Sequence, residues 1–175
     1  IFHTVSIATT TGFTTSHYYF WPTFLPLLLL LASFIGGCTG STGGGIKVIR
    51  VLLLAKQGLR EMLRLIHPNA KIAVKMGSKA VDNRVIDAVW GFFSAYVAVF
   101  IVMLLLLMVS GLDQITAFSA VTATLNNLGP GLGEVSENYT SINSFSKWVL
   151  CLGMLLGRLE IFTLLVILTP AFWRR

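Results

Sequence analysis

Charged residues are scarce in this chain. Only 11% of its 175 residues are charged, whereas 55% are hydrophobic, and the mean hydropathy is +0.79. Because a soluble domain usually carries about 25% charged residues, this composition excludes an ordinary soluble domain. It predicts an integral membrane protein embedded in a lipid bilayer.

Cysteine and histidine are equally scarce. Cys38 and Cys151 lie in or beside apolar sequence, which indicates neither a disulfide nor a metal site. The histidines His3, His17 and His67 lack the spacing of metal ligands. No nucleophile–base pattern is present either, so we expect no enzyme, no catalytic residue and no organic cofactor. The chain begins without methionine, and we expect it to belong to a longer polypeptide.

The few charges are unevenly distributed. The net charge is +6, and basic residues dominate 47–84, whereas acidic residues dominate 113–147. Since basic loops stay on the cytoplasmic side of a membrane, the segment 47–84 is predicted to be cytoplasmic. Nucleic-acid binding is the alternative explanation, but flanking membrane segments account for the pattern more simply, and we expect no nucleic-acid partner.

A hydroxyl-rich segment, 9–15, follows a short apolar stretch and precedes an aromatic cluster at 18–21. The apolar stretch is too short to cross a bilayer, which needs about 20 residues. The pattern therefore predicts a re-entrant segment, in which a half-helix enters the membrane and an extended loop returns. Irregular backbone at membrane depth is tolerated only where it is buried in protein or lines a watery cavity, so this loop is a candidate pore lining.

A glycine-rich segment interrupts the next apolar stretch. The residues 22–35 are too few to span a bilayer of about 20 residues, and the apolar sequence resumes at 46–54. The interruption contains Gly36, Gly37, Gly40, Gly43, Gly44 and Gly45. Each glycine costs a helix about 1 kcal/mol relative to alanine, so we predict a broken membrane helix, a feature of ion and substrate pathways.

This glycine-rich segment has two alternative interpretations. A phosphate-binding P-loop fails, because Ile46 separates Gly45 from Lys47, Val48 follows the lysine, and an apolar segment precedes the loop. A packing kink, in which small residues let helices approach closely, stays open.

The rest of the chain repeats this order of elements. An amphipathic basic helix ending at Pro68 leads to a connection at 71–79. A spanning helix at 85–112, a short helix at 116–125 and a glycine loop at 126–133 follow. A second span at 148–173 comes next, and Arg174 and Arg175 then return the chain to the basic side. Residues 6–13 can be laid over 122–130, with Gly12 equivalent to Gly129. We predict an all-α membrane fold of potassium-channel-like M1–P–M2 repeats (outer helix, short pore helix, inner helix) with re-entrant pore loops and a broken M2 helix.

The repetition divides the chain into three parts. Residues 1–66 form the end of one pore repeat, 67–84 a basic cytoplasmic connection, and 85–175 a complete repeat. In such a pore, backbone carbonyls replace the water around an ion, and glycine permits the dihedrals required. The C-terminal end of a pore helix carries negative partial charge, which favours a cation.

The motifs resemble those of a known family. The run 10–14 resembles the potassium-channel filter T-V-G-Y-G, and 127–131 is a more degenerate version of it. The segments 36–49 and 157–162 resemble the Trk/Ktr/HKT superfamily of potassium transporters, particularly its TrkH-like membrane subunits. The resemblance implies four M1–P–M2 repeats around one pore, with the third and fourth represented here. It implies that the ion-binding filter consists of Thr10, Thr11, Gly12, Phe13, Asn127, Leu128, Gly129 and Pro130. The potassium ion itself is expected at Thr10, Thr11, Asn127 and Leu128.

The resemblance also implies a gate and partners. The gate would combine the six glycines with Arg158, an ionisable residue within a membrane segment and therefore a candidate functional residue. The alternative for Arg158 is an internal ion pair, although Glu160, two residues on, would point to another face of the helix. A nucleotide-binding cytoplasmic regulatory subunit of the TrkA/KtrA type and a homodimer are implied as partners.

We therefore expect potassium uptake across the bacterial cytoplasmic membrane by a multi-pass protein, with the filter loops facing outside and potassium as the transported ion. A secondary transporter for another solute and a membrane scaffold without transport activity are the alternatives.

Overall fold

The computed structural model describes residues 1–16, 18–22, 24–38, 40–41, 43–70, 72–159 and 161–173. Helices make up most of this part of the chain, and one small hairpin joins its two halves. The expectations for Glu160, Arg174 and Arg175 concern positions outside the described residues, as do those for His17 and Lys71.

The first half consists of three helices and an irregular segment. The helices are α1 (Phe2–Ala8), α2 (Phe24–Ile35) and α3 (Val48–Ile66), with a short 3-10 helix at Tyr18–Phe20. No helix forms between α2 and α3 within the described residues, as the glycine content predicts. The basic segment predicted after residue 54 continues α3 without a break. Helix α3 ends at Ile66, where the N–H of His67 donates to the Leu63 carbonyl, just before Pro68.

A hairpin that the sequence interpretation missed connects the halves. Strands β1 (Lys75–Met76) and β2 (Lys79–Ala80) pair antiparallel around a two-residue turn. Gly77 has φ +61°, the positive value that such turns require. The Lys56 ammonium donates to the Lys75 carbonyl at 2.6 Å, so the hairpin is attached to α3. The Gly77-Ser78 pair is the local signal that could have predicted it.

The second half begins with a long helix. Helix α4 (Asn83–Val109) starts where the Asp82 carboxylate accepts from the Arg84 N–H, close to the predicted boundary. Within the described residues it is the helix long and apolar enough to cross a membrane alone, with a mean hydropathy of 2.8 over its best window. Helix α5 (Gln114–Leu125) follows and matches the predicted short helix.

The predicted last span is divided. Its residues form α6 (Ser144–Arg158), α7 (Ile161–Leu168) and α8 (Pro170–Trp173) instead of one continuous helix. Pro170 explains the second division, because proline disfavours a helical conformation at the residue before it. Near the first division, a side chain at Gly157 would overlap the Leu125 carbonyl oxygen, which shows how closely the end of α6 approaches α5.

Helix α5 lies at the centre of the molecule. Every residue from Thr116 to Leu125 except Phe118 is buried, and α5 packs against α2, α4 and α6. Its hydroxyl groups are satisfied locally: Thr122 donates to the Phe118 carbonyl and Thr124 to the Ala120 carbonyl, each at 2.8 Å. These bonds allow a polar short helix to be buried, and the surrounding helices fix the position of its C-terminal end.

Candidate functional site

Helix α1 ends in a loop whose backbone folds back on the helix. The Thr10 N–H donates to the Ile7 carbonyl at 3.1 Å, and the N–H groups of Thr11 and Gly12 both donate to the Ser6 carbonyl, at 2.8 and 3.3 Å. Thr10 has φ +55° and Gly12 has φ +83°. We call residues 9–16 the first filter loop, after the predicted filter residues that they contain.

Helix α5 ends in a loop with the same backbone. The Asn127 N–H donates to the Thr124 carbonyl at 3.1 Å, and the N–H groups of Leu128 and Gly129 donate to the Ala123 carbonyl at 2.8 and 3.3 Å. Asn127 has φ +51° and Gly129 has φ +102°. We call residues 126–132 the second filter loop.

The two loops are therefore equivalent residue by residue. Thr10 corresponds to Asn127, and Gly12 corresponds to Gly129, as the sequence comparison proposed. The nine-residue segment 122–130 in that comparison was one residue too long, because the hydrogen bonds pair Ser6 with Ala123. The sequence alone does not show these hydrogen bonds, so it could not fix the register to the residue.

The two loops also touch each other. A side chain at Gly12 would overlap the carbonyl oxygen of Leu128, whereas a side chain at Gly129 would meet nothing within 4 Å. Gly12 is required both by its φ and by this close approach, whereas Gly129 is required by its φ alone. The structure thus brings all eight predicted filter residues onto two adjoining loops.

The glycine-rich segment 36–47, here called the glycine loop, packs under both filter loops. The Gly44 N–H donates to the Thr10 hydroxyl oxygen at 3.1 Å, and a side chain at Gly44 would overlap the Asn126 carbonyl oxygen. The loop closes on α2, since the Ile46 N–H donates to the Phe34 carbonyl at 2.9 Å. Thr10 is a β-branched residue with positive φ, a rare conformation, and its side chain holds this contact.

The six predicted gate glycines have different surroundings. Gly43 and Gly44 lie against the filter loops, Gly45 lies against the Ser33 carbonyl, and Gly36 lies against Gly44. Gly37 faces the Ser41 side chain, and Gly40 has open space around it. Three of them therefore fix the position of the glycine loop beneath α2 and the filter loops, and Gly40 does not.

A buried polar chain that the sequence interpretation missed joins three elements at this point. The Tyr96 hydroxyl on α4 donates to the Asn126 side-chain oxygen at 2.6 Å, and the Asn126 amide donates to the Ser33 hydroxyl on α2 at 2.9 Å. Ser33 in turn donates to the Leu30 carbonyl at 2.6 Å. All three side chains are buried. A tyrosine in an otherwise apolar helix was the one available signal, because a buried phenol needs a hydrogen-bond partner.

An inner cavity of about 230 Å³ lies beneath the end of α5. Its lining includes Leu125 and Gly157, and three basic side chains, Lys47, Arg50 and Arg158, converge on it. Arg50 also lies over the Phe92 ring, 4.1 Å from its centroid. Positive charge at this position opposes entry of a cation. The structure thereby brings Arg158 close to the glycine loop, which contributes Gly43 and Gly45 to the same cavity.

An outer cavity of about 590 Å³ lies on the opposite side of the filter loops. Gly12 and Gly129 line it together with hydroxyl groups, Glu137 and the rings of Tyr18, Tyr19 and Tyr139. Oxygen atoms and a carboxylate are groups that can bind a cation. The filter loops thus line an oxygen-rich outer cavity, and the glycine loop, which contacts both filter loops, lines a basic inner cavity.

Comparison with known proteins places this arrangement in a family. A family model described as "Cation transport protein" (TrkH) matches residues 1–175. The Trk system potassium uptake protein TrkH of Vibrio parahaemolyticus is 63% identical over 174 residues, which cover 99% of this chain and 36% of the relative. The protein of the same name from Escherichia coli K12 is 61% identical over 173 residues, again 99% of this chain and 36% of the relative.

A solved structure agrees with the sequence comparison. The crystal structure of the potassium transporter TrkH from Vibrio parahaemolyticus matches with a TM-score of 0.92 at 63% identity, over 99% of this chain and 37% of that one. The chain thus spans about 36% of the length of the curated relatives it matches. Over that length its sequence and its structure agree with the same group of proteins, and the chain belongs to the TrkH family of cation transport proteins.

Proposed function

We propose that the protein containing this chain carries potassium ions into the cell through a channel-like pore, and that the two filter loops form part of its selectivity filter. The observation that supports this most directly is their equivalence: two segments far apart in sequence share hydrogen-bond register and positive φ values and lie side by side. The names of the relatives, which are potassium uptake proteins, support potassium as the transported ion.

The carbonyl groups of the eight predicted filter residues differ in their hydrogen bonding. Phe13 and Gly129 each accept a hydrogen bond from a side chain, Ser6 at 2.7 Å and Tyr139 at 2.7 Å. Within the described part of the chain, no hydrogen bond engages the carbonyls of the other six: Thr10, Thr11, Gly12, Asn127, Leu128 and Pro130. Among these six, Thr10, Thr11, Asn127 and Leu128 are the proposed potassium ligands, because free backbone carbonyls can replace the hydration shell of an ion.

The helix ends favour the same site. The C-terminal ends of α1 and α5 both run into the filter loops, so the negative ends of two helix dipoles lie beside the proposed ion position. Helix α1 has seven residues and α5 has twelve, and the dipole effect is confined to the last turn of each.

The closed barrier would lie on the inner side of the filter. The glycine loop packs beneath both filter loops, and Arg158 shares the inner cavity with it. We propose that these two features together block the path. We also propose that the basic C-terminal part of α3 and the connection after it, as far as Arg84, lie in the cytoplasm. The protein would be a multi-pass protein of the inner membrane built from M1–P–M2 repeats, with the M2 helix broken at the glycine loop.

The proposed partners would bind on the cytoplasmic side. Exposed apolar side chains on the C-terminal half of α3, among them Leu59, Met62, Leu65 and Ile66, lie beside its basic residues. This surface would suit the nucleotide-binding regulatory subunit, or the second subunit of a homodimer, that the family resemblance implies.

The test measures potassium or rubidium uptake by the full-length protein in cells that lack their own potassium uptake systems. The variant Gly129→Ser adds a side chain where φ is +102° and space is open, so it distorts the filter backbone without a direct clash. We expect uptake to fall at least several-fold or to lose its preference for potassium. Gly111→Ser is the matched control, because Gly111 has φ +98° and open space in the α4–α5 turn.

Normal, potassium-selective uptake by the Gly129→Ser variant would contradict the proposal. A scaffold or a transporter for another solute has no need of a filter glycine, so those alternatives would then be favoured. Equal losses in the Gly129→Ser and Gly111→Ser variants, at equal membrane abundance, would point to general backbone strain instead.

A further inference from the structure

Two tyrosine hydroxyls hold the outer side of the second filter loop. The Tyr139 hydroxyl donates to the Gly129 carbonyl at 2.7 Å, and the Tyr18 hydroxyl donates to the Gly131 carbonyl at 3.0 Å. Both acceptors lie on the second filter loop, two residues apart. Bonds to two carbonyls this close in sequence restrain the return of the loop.

Tyr18 comes from the other half of the chain. It belongs to the 3-10 helix that follows the first filter loop, and its ring is only 2% exposed. The ring packs in a cluster that also contains Ile7 of α1, Leu30 of α2 and Leu128 of the second filter loop. Because these contacts fix the ring, its hydroxyl holds the Gly131 carbonyl at a set distance from the first half of the chain.

The end of the same segment is held separately by α5. The Ser119 hydroxyl donates to the Leu132 carbonyl at 3.0 Å and accepts from the Leu132 N–H at 2.9 Å. The second filter loop is thus attached to two phenols, at Gly129 and Gly131, and to α5, at Leu132. A displacement of this part of the loop requires breaking at least one of these hydrogen bonds.

We propose that Tyr18 and Tyr139 are specificity-determining positioning residues, which keep the second filter loop open at a width suited to potassium and thereby disfavour sodium. The inference rests on the proposed potassium pore. Sodium binds oxygen ligands at shorter distances than potassium does, and the size and flexibility of a carbonyl filter decide between these ions. The tyrosines contact carbonyl groups of the filter loop and act on the ion through them.

The phenols remain donors at all pH values of growth. Burial raises the pKa of Tyr18 to about 12 and that of Tyr139 to about 12. Because each pKa is raised above the usual value of about 10, the bonds are fully present below about pH 10 and are lost only as the pH approaches 12. Selectivity should therefore not vary with external pH between about 6 and 9 through these groups.

The test uses three variants of the full-length protein that each remove one oxygen atom: Tyr18→Phe, Tyr139→Phe and Tyr19→Phe. Tyr19 is the control, because it lines the same outer cavity but its hydroxyl donates to the Glu137 carboxylate at 3.1 Å instead of to the loop. Potassium and sodium uptake are measured separately in each variant, and KM and maximal rate are determined for each ion.

We expect the potassium-to-sodium ratio of uptake efficiency to fall about two- to tenfold in the Tyr18→Phe and Tyr139→Phe variants, the factor that one hydrogen bond supplies. The ratio should be unchanged in the Tyr19→Phe variant. An unchanged ratio in both test variants, or an equal loss of uptake for the two ions, overturns the proposal, since a merely structural role would affect both ions alike. If Gly129→Ser alters selectivity while these variants do not, only the role of the tyrosines fails; if Gly129→Ser is also without effect, the proposed pore itself fails.

Discussion

At the scale of single residues, Asn126 is the point at which both halves of the chain and the glycine loop meet. Its side-chain amide is bonded on both sides, to Tyr96 and to Ser33, and its carbonyl lies against Gly44. It directly precedes Asn127 of the proposed ion site. A shift of Asn126 would therefore move filter and glycine loop together.

The first prediction from this network concerns stability. Removing the hydroxyl in Tyr96→Phe leaves the buried side-chain oxygen of Asn126 without its donor, which costs about 1–3 kcal/mol. We expect a lower melting temperature for the purified full-length protein. Tyr19→Phe breaks an exposed bond and is the control, with little change expected. A melting temperature equal to that of the wild type in the Tyr96→Phe variant would show that the bond contributes nothing to stability.

Residue-level prediction from the sequence succeeded where the signal was local. Gly12 and Gly129 were paired because each follows a short apolar helix and interrupts a polar loop. Tyr96, Asn126 and Ser33 were missed because their bonds join residues 30 and 93 positions apart. Such contacts depend on how helices pack, and a single sequence does not specify that packing at the resolution of one hydrogen bond.

At the scale of elements, the order of helices was predictable and their interruptions were only partly so. Long apolar segments and proline positions indicate helices and their ends, and α4, α5 and the end of α3 followed these rules. The hairpin β1–β2 has only two residues per strand, too few for an alternating pattern. The division between α6 and α7 falls at the charged residues Arg158 and Glu160, a local signal that the sequence analysis assigned to a gate and not to a helix end.

The contact between the glycine loop and α5 yields a prediction at this scale. In the Gly44→Ala variant the new methyl group would overlap the Asn126 carbonyl oxygen, so the glycine loop must move away from the filter. If the glycine loop is the barrier, its displacement raises the rate of potassium uptake at least about twofold. The Gly40→Ala variant is the control. Gly40 has φ +86° and nothing lies within 4 Å of an added methyl group, so the change strains the backbone without a clash, and the variant should behave like the wild type. Rubidium flux into liposomes containing each purified full-length variant is the measurement.

Either of two results would contradict this assignment. Unchanged flux in the Gly44→Ala variant would show that the glycine loop does not limit conduction. Reduced flux with altered selectivity would show that the filter, and not the glycine loop, yields to the new methyl group.

At the scale of the whole molecule, charge changes sign across the filter loops. The outer cavity contains Glu137, and the inner cavity contains Lys47, Arg50 and Arg158. A cation would be attracted to the outer cavity and opposed at the inner one, which agrees with the proposed filter and the proposed closed barrier. The chain spans about 36% of its relatives' length, so the remaining walls of the proposed pore belong to sequence beyond these residues.

The share of each basic residue in that barrier can be separated by experiment. Arg158→Ala removes one positive charge from the inner cavity, and a unit charge about 4 Å from an ion contributes about 4 kcal/mol at the effective dielectric constant of a protein surface. Screening by the neighbouring groups leaves a fraction of this, so we expect potassium flux through the full-length protein to rise about tenfold in liposomes. Arg84→Ala is the matched control, because Arg84 is an exposed arginine at the start of α4 and does not line the inner cavity. Equal flux in the two variants would remove Arg158 from the barrier and leave the glycine loop as its proposed component.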